Sequence, residues 1–197
     1  KAFYSNQLFT VDSVSRGDIC TYSKIWDIHT PFVPLNKAGI IELRVENLPD
    51  DLQPKAFIAH LTPGGDYVYC GGKYEDGAVR GRLPSFGRFT VGVDTIPPVI
   101  KPRFSSPDRI ARSGQAAFTI KDSLSGIRRY RAQIDGKWIL AQFDAKYDKL
   151  WIVLDPEVVS RGGVHELILE VTDNKNNISR NTKRRSCYWI YIFKYCI

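Results

Sequence analysis

The sequence predicts an all-β protein of two tandem immunoglobulin-like β-sandwich domains. Apolar residues recur at every second position in short runs, Gly-, Asp- and Asn-rich breaks separate those runs, and a proline-stiffened joint divides them into two sets. Period two places alternate side chains on opposite faces of a strand, so one face is apolar and the other is solvated. No stretch keeps a helical period. At 197 residues with 43% hydrophobic content, the chain has material for a core in each of two small domains.

The joint spans residues 86–102. Phe89, Val91 and Val93 share one face of a closing strand, and Pro97, Pro98 and Pro102 then remove backbone donors and hold the chain extended. It sets the expected boundaries: an N-terminal sandwich at 1–94, a C-terminal immunoglobulin-like sandwich at 95–182, and a basic, aromatic tail at 183–197.

In the first half, Ile41, Leu43 and Val45 point inward while Glu42, Arg44 and Glu46 point outward, the signature of a half-buried antiparallel strand. Residues 47–51 turn the chain, 55–61 form the partner strand, and 63–66 turn it again. Strands are expected at 67–70, 78–83 and 88–93. In the second half, Ala116, Phe118 and Ile120 alternate inward, residues 122–126 break the run, and Tyr130, Ala132 and Ile134 resume it. Asp135-Gly136 predicts a type I′ hairpin, because both central positions of that turn need positive φ. Residues 138–143 are the expected return strand. Leu150, Ile152 and Leu154, then Leu167, Leu169 and Val171 after the break at 161–163, complete the apolar face. About seven short strands in one half match the immunoglobulin-like count.

Charge and cysteine content narrow the function classes. The net charge is +7, but residues 181–197 hold Lys183, Arg184, Arg185 and Lys194 with no acid; without them 24 basic residues face 21 acidic ones, a net +3. A nearly balanced body argues against nucleic acid as the partner. Arg128, Arg129 and Arg131 form a small cluster, yet alternation puts Arg128 opposite the other two, as on a solvated strand face. The longest uncharged apolar run, 187–193, is far short of the roughly 20 residues of a membrane span. Cys20, Cys70, Cys187 and Cys196 lack C-x-x-C spacing; buried free thiols are the expected state, with a Cys20–Cys70 disulfide as the alternative in an oxidising compartment. The absence of methionine and of an initial apolar signal segment reads as a processed or trimmed piece of a longer protein.

Several phrases in order carry a resemblance: Asp122-Ser-Leu-Ser-Gly-Ile127, Ile134-Asp-Gly-Lys-Trp138, Val171-Thr-Asp-Asn-Lys-Asn-Asn177, Gly71-Gly-Lys-Tyr-Glu-Asp-Gly77 and the joint itself. Across residues 38–180 the chain resembles bacterial immunoglobulin-like envelope modules, and in particular the C-terminal β-rich region of lysostaphin-type zinc metallopeptidases of Bacteroides-like bacteria. The resemblance implies a periplasmic, cell-envelope or extracellular protein whose partner is a catalytic peptidase domain or a cell-wall polymer. It does not carry over a catalytic site. Such a zinc centre needs H-x-x-x-D and H-x-H pairs. Four residues beyond His29, His60 and His165 stand Val33, Gly64 and Leu169, and two beyond stand Pro31, Thr62 and Leu167. No G-x-S-x-G elbow, P-loop, dinucleotide fingerprint or H-E-x-x-H helix is present either. The expectation is therefore a nonenzymatic chain with no catalytic, cofactor or metal residue assigned.

Two binding readings compete with structural ones. Asp122 and Asp173, with Asp135, have the oxygen ligands of a calcium site, but Asp173-Asn-Lys-Asn-Asn177 is first of all turn chemistry. Trp26, Trp138 and Trp151, with Tyr67, Tyr69 and Tyr74, would suit a sugar platform, yet aromatics on strands commonly cover a sheet. His165 shares a face with Leu167 and Leu169, as a core-edge residue satisfied by backbone would. The tail departs from the resemblance, since residues 188–193 are apolar or aromatic on both faces. The sequence thus predicts an accessory or targeting module of a cell-envelope peptidoglycan peptidase, with an extracellular glycan-binding or adhesion module as the alternative.

Overall fold

A computed structural model describes residues 8–14, 21–103, 114–154 and 164–186. The chain divides into two compact units, Lys1–Thr95 and Ile96–Ile197. Both are all-β sandwiches with antiparallel strand pairing.

Unit 1 contains β1 (Val11–Val14), β2 (Ile25–Ile28), β3 (Gly39–Arg44), β4 (Ala56–Leu61), β5 (Tyr67–Tyr69), β6 (Lys73–Glu75), β7 (Ala78–Leu83) and β8 (Gly87–Val93). One sheet runs β1-β2-β8-β4-β5 and the other β3-β7-β6. The alternation seen in the sequence sets what each sheet contributes. Ile41 and Leu43 of β3 and Val79 and Leu83 of β7 meet Ile58 of β4 and Phe89 and Val91 of β8 in one core. The outer face of β4 is closed locally: Phe57 is fully buried beneath Tyr67 and Tyr69, with ring centroids 6.4 and 5.2 Å away. These two tyrosines cover a sheet by cross-strand packing. Two strands that lack a long alternating pattern, β1 and β2, extend the first sheet, and a 3₁₀ helix at Asp50–Lys55 takes the place of the simple turn expected at 47–51.

Unit 2 contains β9 (Val99–Pro102), β10 (Gln115–Lys121), β11 (Ile127–Ile134), β12 (Lys137–Ile139), β13 (Ala141–Asp144), β14 (Lys149–Val153), β15 (Val164–Asp173) and β16 (Ile178–Ser186). Its sheets run β13-β14-β10-β9 and β12-β11-β15-β16. Lettered in chain order, this is the D-E-B-A and C′-C-F-G arrangement of an immunoglobulin sandwich; unit 1 has its own strand order. Phe118, Ile120, Ala132, Leu150, Ile152, Leu169 and Val171 are each fully buried in the unit 2 core.

The Asp135-Gly136 turn has φ of 51° and 78°, both positive as a type I′ hairpin requires. Three expectations need correction. The return strand at 138–143 is two strands: β12 pairs with β11, and past Leu140 β13 pairs with β14 in the opposite sheet. The parity survives the crossing, since Ile139, Ala141 and Phe143 all pack on the same core. The last part of the proline joint is β9, an edge strand paired with β10 and fixed by a hydrogen bond from Ser179 Oγ to the Pro98 carbonyl. An edge position accommodates Pro102, which has no N–H to give a second neighbour. Finally, β16 runs through Lys183, Arg184 and Arg185 to Ser186, pairing with β15 beyond the limit of 182. Residues 187–197 of the expected tail lie outside the described residues.

Because Phe118 is fully buried at the centre of unit 2, Phe118→Ala is expected to cost about 3–5 kcal/mol. The measurement is a urea unfolding curve, and a loss below about 1 kcal/mol would contradict the core assignment.

Candidate functional site

Unit 1 has a groove of about 500 Å³ between β2 and β3. Trp26, Ile28, Ile41 and Leu43 supply its apolar surface, and Lys24, Glu42 and Arg44 place charges around it. Its origin is topological. β1 is the edge of one sheet and β3 the edge of the other among the described residues, so the two layers part along this side. Trp26 belongs to β2, opposite Ser13 and Phe89, and is half-buried. An apolar concavity with few convergent polar groups is the usual form of a ligand site.

The three histidines are committed to separate local roles. His29 has a positive φ of 54° and stacks on Phe9 at 5.4 Å, with Phe86 edge-on at 5.1 Å. His60, on β4, packs on Phe89 at 4.9 Å. It also fills the space a side chain at Gly87 would need, a Cβ there lying 2.7 Å from its Nε2, which explains glycine at φ 133° in that position. Burial lowers the His60 pKa. His165, in unit 2, is 9% exposed, and its Nδ1 lies 2.6 Å from Asp135 Oδ2. It is therefore satisfied by a carboxylate, where backbone was expected. Asp135 Oδ1 accepts from the Glu166 N–H at 2.8 Å and the Asp135 N–H donates to the Glu166 carbonyl at 3.0 Å, which pins the hairpin turn to β15. Burial pushes the Asp135 carboxyl up, but the bonds from His165 and Glu166 outweigh it and hold the pKa below the ordinary value. Among the described residues, no group of three potential metal ligands contains a histidine or cysteine.

The three aspartates considered as calcium ligands do not converge. Asp135 stands at His165, whereas Asp122 and Asp173 bring carboxylate oxygens within 4.8 Å of each other. Asp122 Oδ2 accepts from the Leu124 and Gly126 N–H groups at 3.0 and 2.7 Å. Asp173 is fully buried: Oδ1 accepts from the N–H of Lys175 and Asn177, and Oδ2 from Asn177 Nδ2, all within 2.8 Å. Asn174 Nδ2 donates to the Ser125 carbonyl at 2.8 Å and ties the two loops together. Turn chemistry fixes both loops of unit 2, and Asp122 Oδ1 is left as a buried oxygen without a hydrogen-bond partner.

Of the remaining aromatics, Tyr74 packs against the unit 1 core, Trp138 is 61% exposed on β12, and Trp151 is half-buried on β14 with Lys149 Nζ 5.5 Å from its ring. Arg128 sits at a bulge and donates to Asn176 Oδ1 at 2.6 Å, while Arg129 and Arg131 share the outer face of β11. Cys70 is a free, half-buried thiol whose pKa is raised by burial; Cys20 of the alternative disulfide lies outside the described residues. No described helix is long and apolar enough to cross a membrane.

These features define the class: a protein of two β-sandwich units, with a groove on unit 1 and exposed aromatic and basic strand faces on unit 2. Residues 1–94 match the family description of a Zu5-like domain, to which unit 1 is thus similar. No curated protein matches the chain. This likeness does not confirm the lysostaphin-type resemblance.

Two outcomes are expected. Because the depressed His60 pKa favours the neutral ring, its contribution to stability is complete above about pH 6.5, the ordinary histidine value, and declines as pH falls through that value toward the folded one. Unfolding followed by β4 amide signals should show the unit 1 midpoint dropping between pH 7 and pH 5, and His60→Gln should flatten that drop. Separately, Asp173→Ala leaves two buried N–H donors without their acceptor and is expected to destabilise unit 2 by about 3 kcal/mol, measured by chemical denaturation.

Proposed function

We propose that this chain is a noncatalytic accessory or targeting module of a cell-envelope peptidoglycan peptidase, located in the periplasm or at the envelope surface. It acts by binding, spacing or covering a catalytic domain. The observation that carries the reading is the Trp26 groove of unit 1, an apolar trough with lysine, arginine and glutamate at its margin. That combination suits a polymer offering both sugar faces and ionised peptide groups, since an indole stacks on the apolar face of a sugar ring while flanking charges orient the polar substituents. The run of envelope-module phrases from Gly71 to Asn177 supports the same assignment. The histidines add to it, because each serves packing or a local bond in its own unit.

A second reading, an extracellular glycan-binding or adhesion module, is favoured by one observation: Trp138 presents its indole on a strand with 61% of its surface open. An open indole face of this kind can stack on the apolar face of a sugar ring.

The test is retention of the purified chain on peptidoglycan sacculi and on a panel of immobilised glycans. The first reading expects retention on sacculi, reduced about tenfold by Trp26→Ala, an effect of about 1.4 kcal/mol, and little changed by Trp138→Ala. Retention on isolated glycans that Trp138→Ala abolishes and Trp26→Ala spares would instead establish the second. Equal lack of retention on both supports removes wall recognition from consideration.

A further inference from the structure

The outer face of the β13-β14-β10-β9 sheet in unit 2 has a shape and charge that the reading above does not use. Its central strand β10 carries short outward side chains, Ala117 and Thr119, while its neighbours carry long ones: Lys101 on β9, Arg103 just beyond it, and Lys149 and Trp151 on β14. A row of small residues flanked by large ones makes a trough along the strand. Arg103, Ala117, Tyr147 and Lys149 line a depression of about 490 Å³ there.

Its walls are aromatic and cationic. Tyr147 is 62% exposed at the β13–β14 turn with Lys146 Nζ 5.2 Å from its ring, and Lys149 Nζ lies 5.5 Å from the Trp151 ring. Lys101, Arg103 and Lys149 are exposed and make no ion pair among the described residues. Two carboxylates stand nearby: Asp148 approaches Lys121 at 3.8 Å, and Asp144, the cross-strand neighbour of Lys149, accepts the Lys146 N–H at 3.0 Å. With Lys121 and Lys146, the cations around the trough outnumber Asp144 and Asp148, which is charge complementarity toward an anion.

We propose that this face binds an acidic polysaccharide, a chain of sugar rings bearing carboxylates. The trough takes an extended polymer, Tyr147 and the Trp151 edge meet the apolar faces of the rings, and Lys101, Arg103 and Lys149 meet the carboxylates. A single-stranded nucleic acid fits less well, since sequence-tolerant strand binding uses a succession of stacking aromatics with a continuous basic groove, and here two aromatics flank a short one. The inference goes beyond the wall-binding reading, because it places a second ligand class on a different unit. The two fail separately: sacculus retention is read with Trp26→Ala, which leaves this face intact.

The experiment is calorimetric titration of the full chain with a galacturonate hexamer, a neutral galactose oligomer of equal length, a polyphosphate of equal charge and a single-stranded oligonucleotide. Binding of the galacturonate is expected, with the neutral oligomer bound at least tenfold more weakly. Arg103→Gln and Lys149→Gln should each lower affinity about fivefold, the scale of an exposed charge contact, and Tyr147→Ala about tenfold, the scale of one stacking ring. All three positions are exposed or edge sites, and an unchanged unfolding midpoint confirms that the fold is kept. The proposal is overturned by absence of galacturonate binding, by equal affinity for the neutral oligomer, by tighter binding of the oligonucleotide, or by polyphosphate binding as tightly with Tyr147→Ala silent.

Discussion

Each layer of this protein is held by apolar side chains that leave a strand at every second residue and meet their counterparts from the facing sheet. Phe89, Val91 and Ile58 in unit 1, and Phe118, Leu150 and Leu169 in unit 2, are all fully buried by this arrangement. A slip of one residue in any of these strands would put the buried set in water and the charged set in the core. The sheets therefore have one register available to them, and every surface feature follows from it. Lys149 and Trp151 face outward together because Leu150 and Ile152 face inward, and Trp26 lines the groove together with Ile28, two residues on along β2.

Polar residues contribute mainly at the ends of strands. Asp122, Asp135 and Asp173 use the same chemistry, a carboxylate accepting from nearby backbone N–H groups, to fix three loops of unit 2. Asp135 adds a side-chain partner in His165 and so ties a hairpin tip to a third strand. In unit 1 the corresponding fastening is largely aromatic, through Phe9, His29 and Phe86 on one side and Phe57, Tyr67 and Tyr69 on the other. The two units thus reach closed sandwiches by different means.

The all-β class, the alternating strands and the Asp-Gly hairpin were legible because each depends on neighbours in sequence. Ile41, Leu43, Phe118, Ile120, Leu169 and Val171 are where period two places them. β1 and β2 were not legible, since four-residue strands such as Val11-Asp-Ser-Val14 are too short to show a period and form only against a sheet already present. The change of sheet at Leu140 escaped for a related reason, because an unbroken parity hides which layer a strand belongs to. The groove and the trough depend on which strands are edges and which neighbours are small, and those are facts of topology. Trp26 and Trp151 could be named from the chain as aromatic candidates, but nothing local to either residue marks a concavity. Asp122 and Asp173 were grouped with Asp135 by residue type alone, and the fold sends Asp135 to His165.

The crossing at Leu140 links the two layers of unit 2 through a single residue, from Ile139 paired in one sheet to Ala141 paired in the other. A covalent rivet of that kind forbids the layers from sliding past one another along the strand direction without breaking ladder bonds on both sides of it. Mechanical load applied to either layer is then shared by its opposite number, so under tension the sandwich should yield as one body and not peel sheet from sheet.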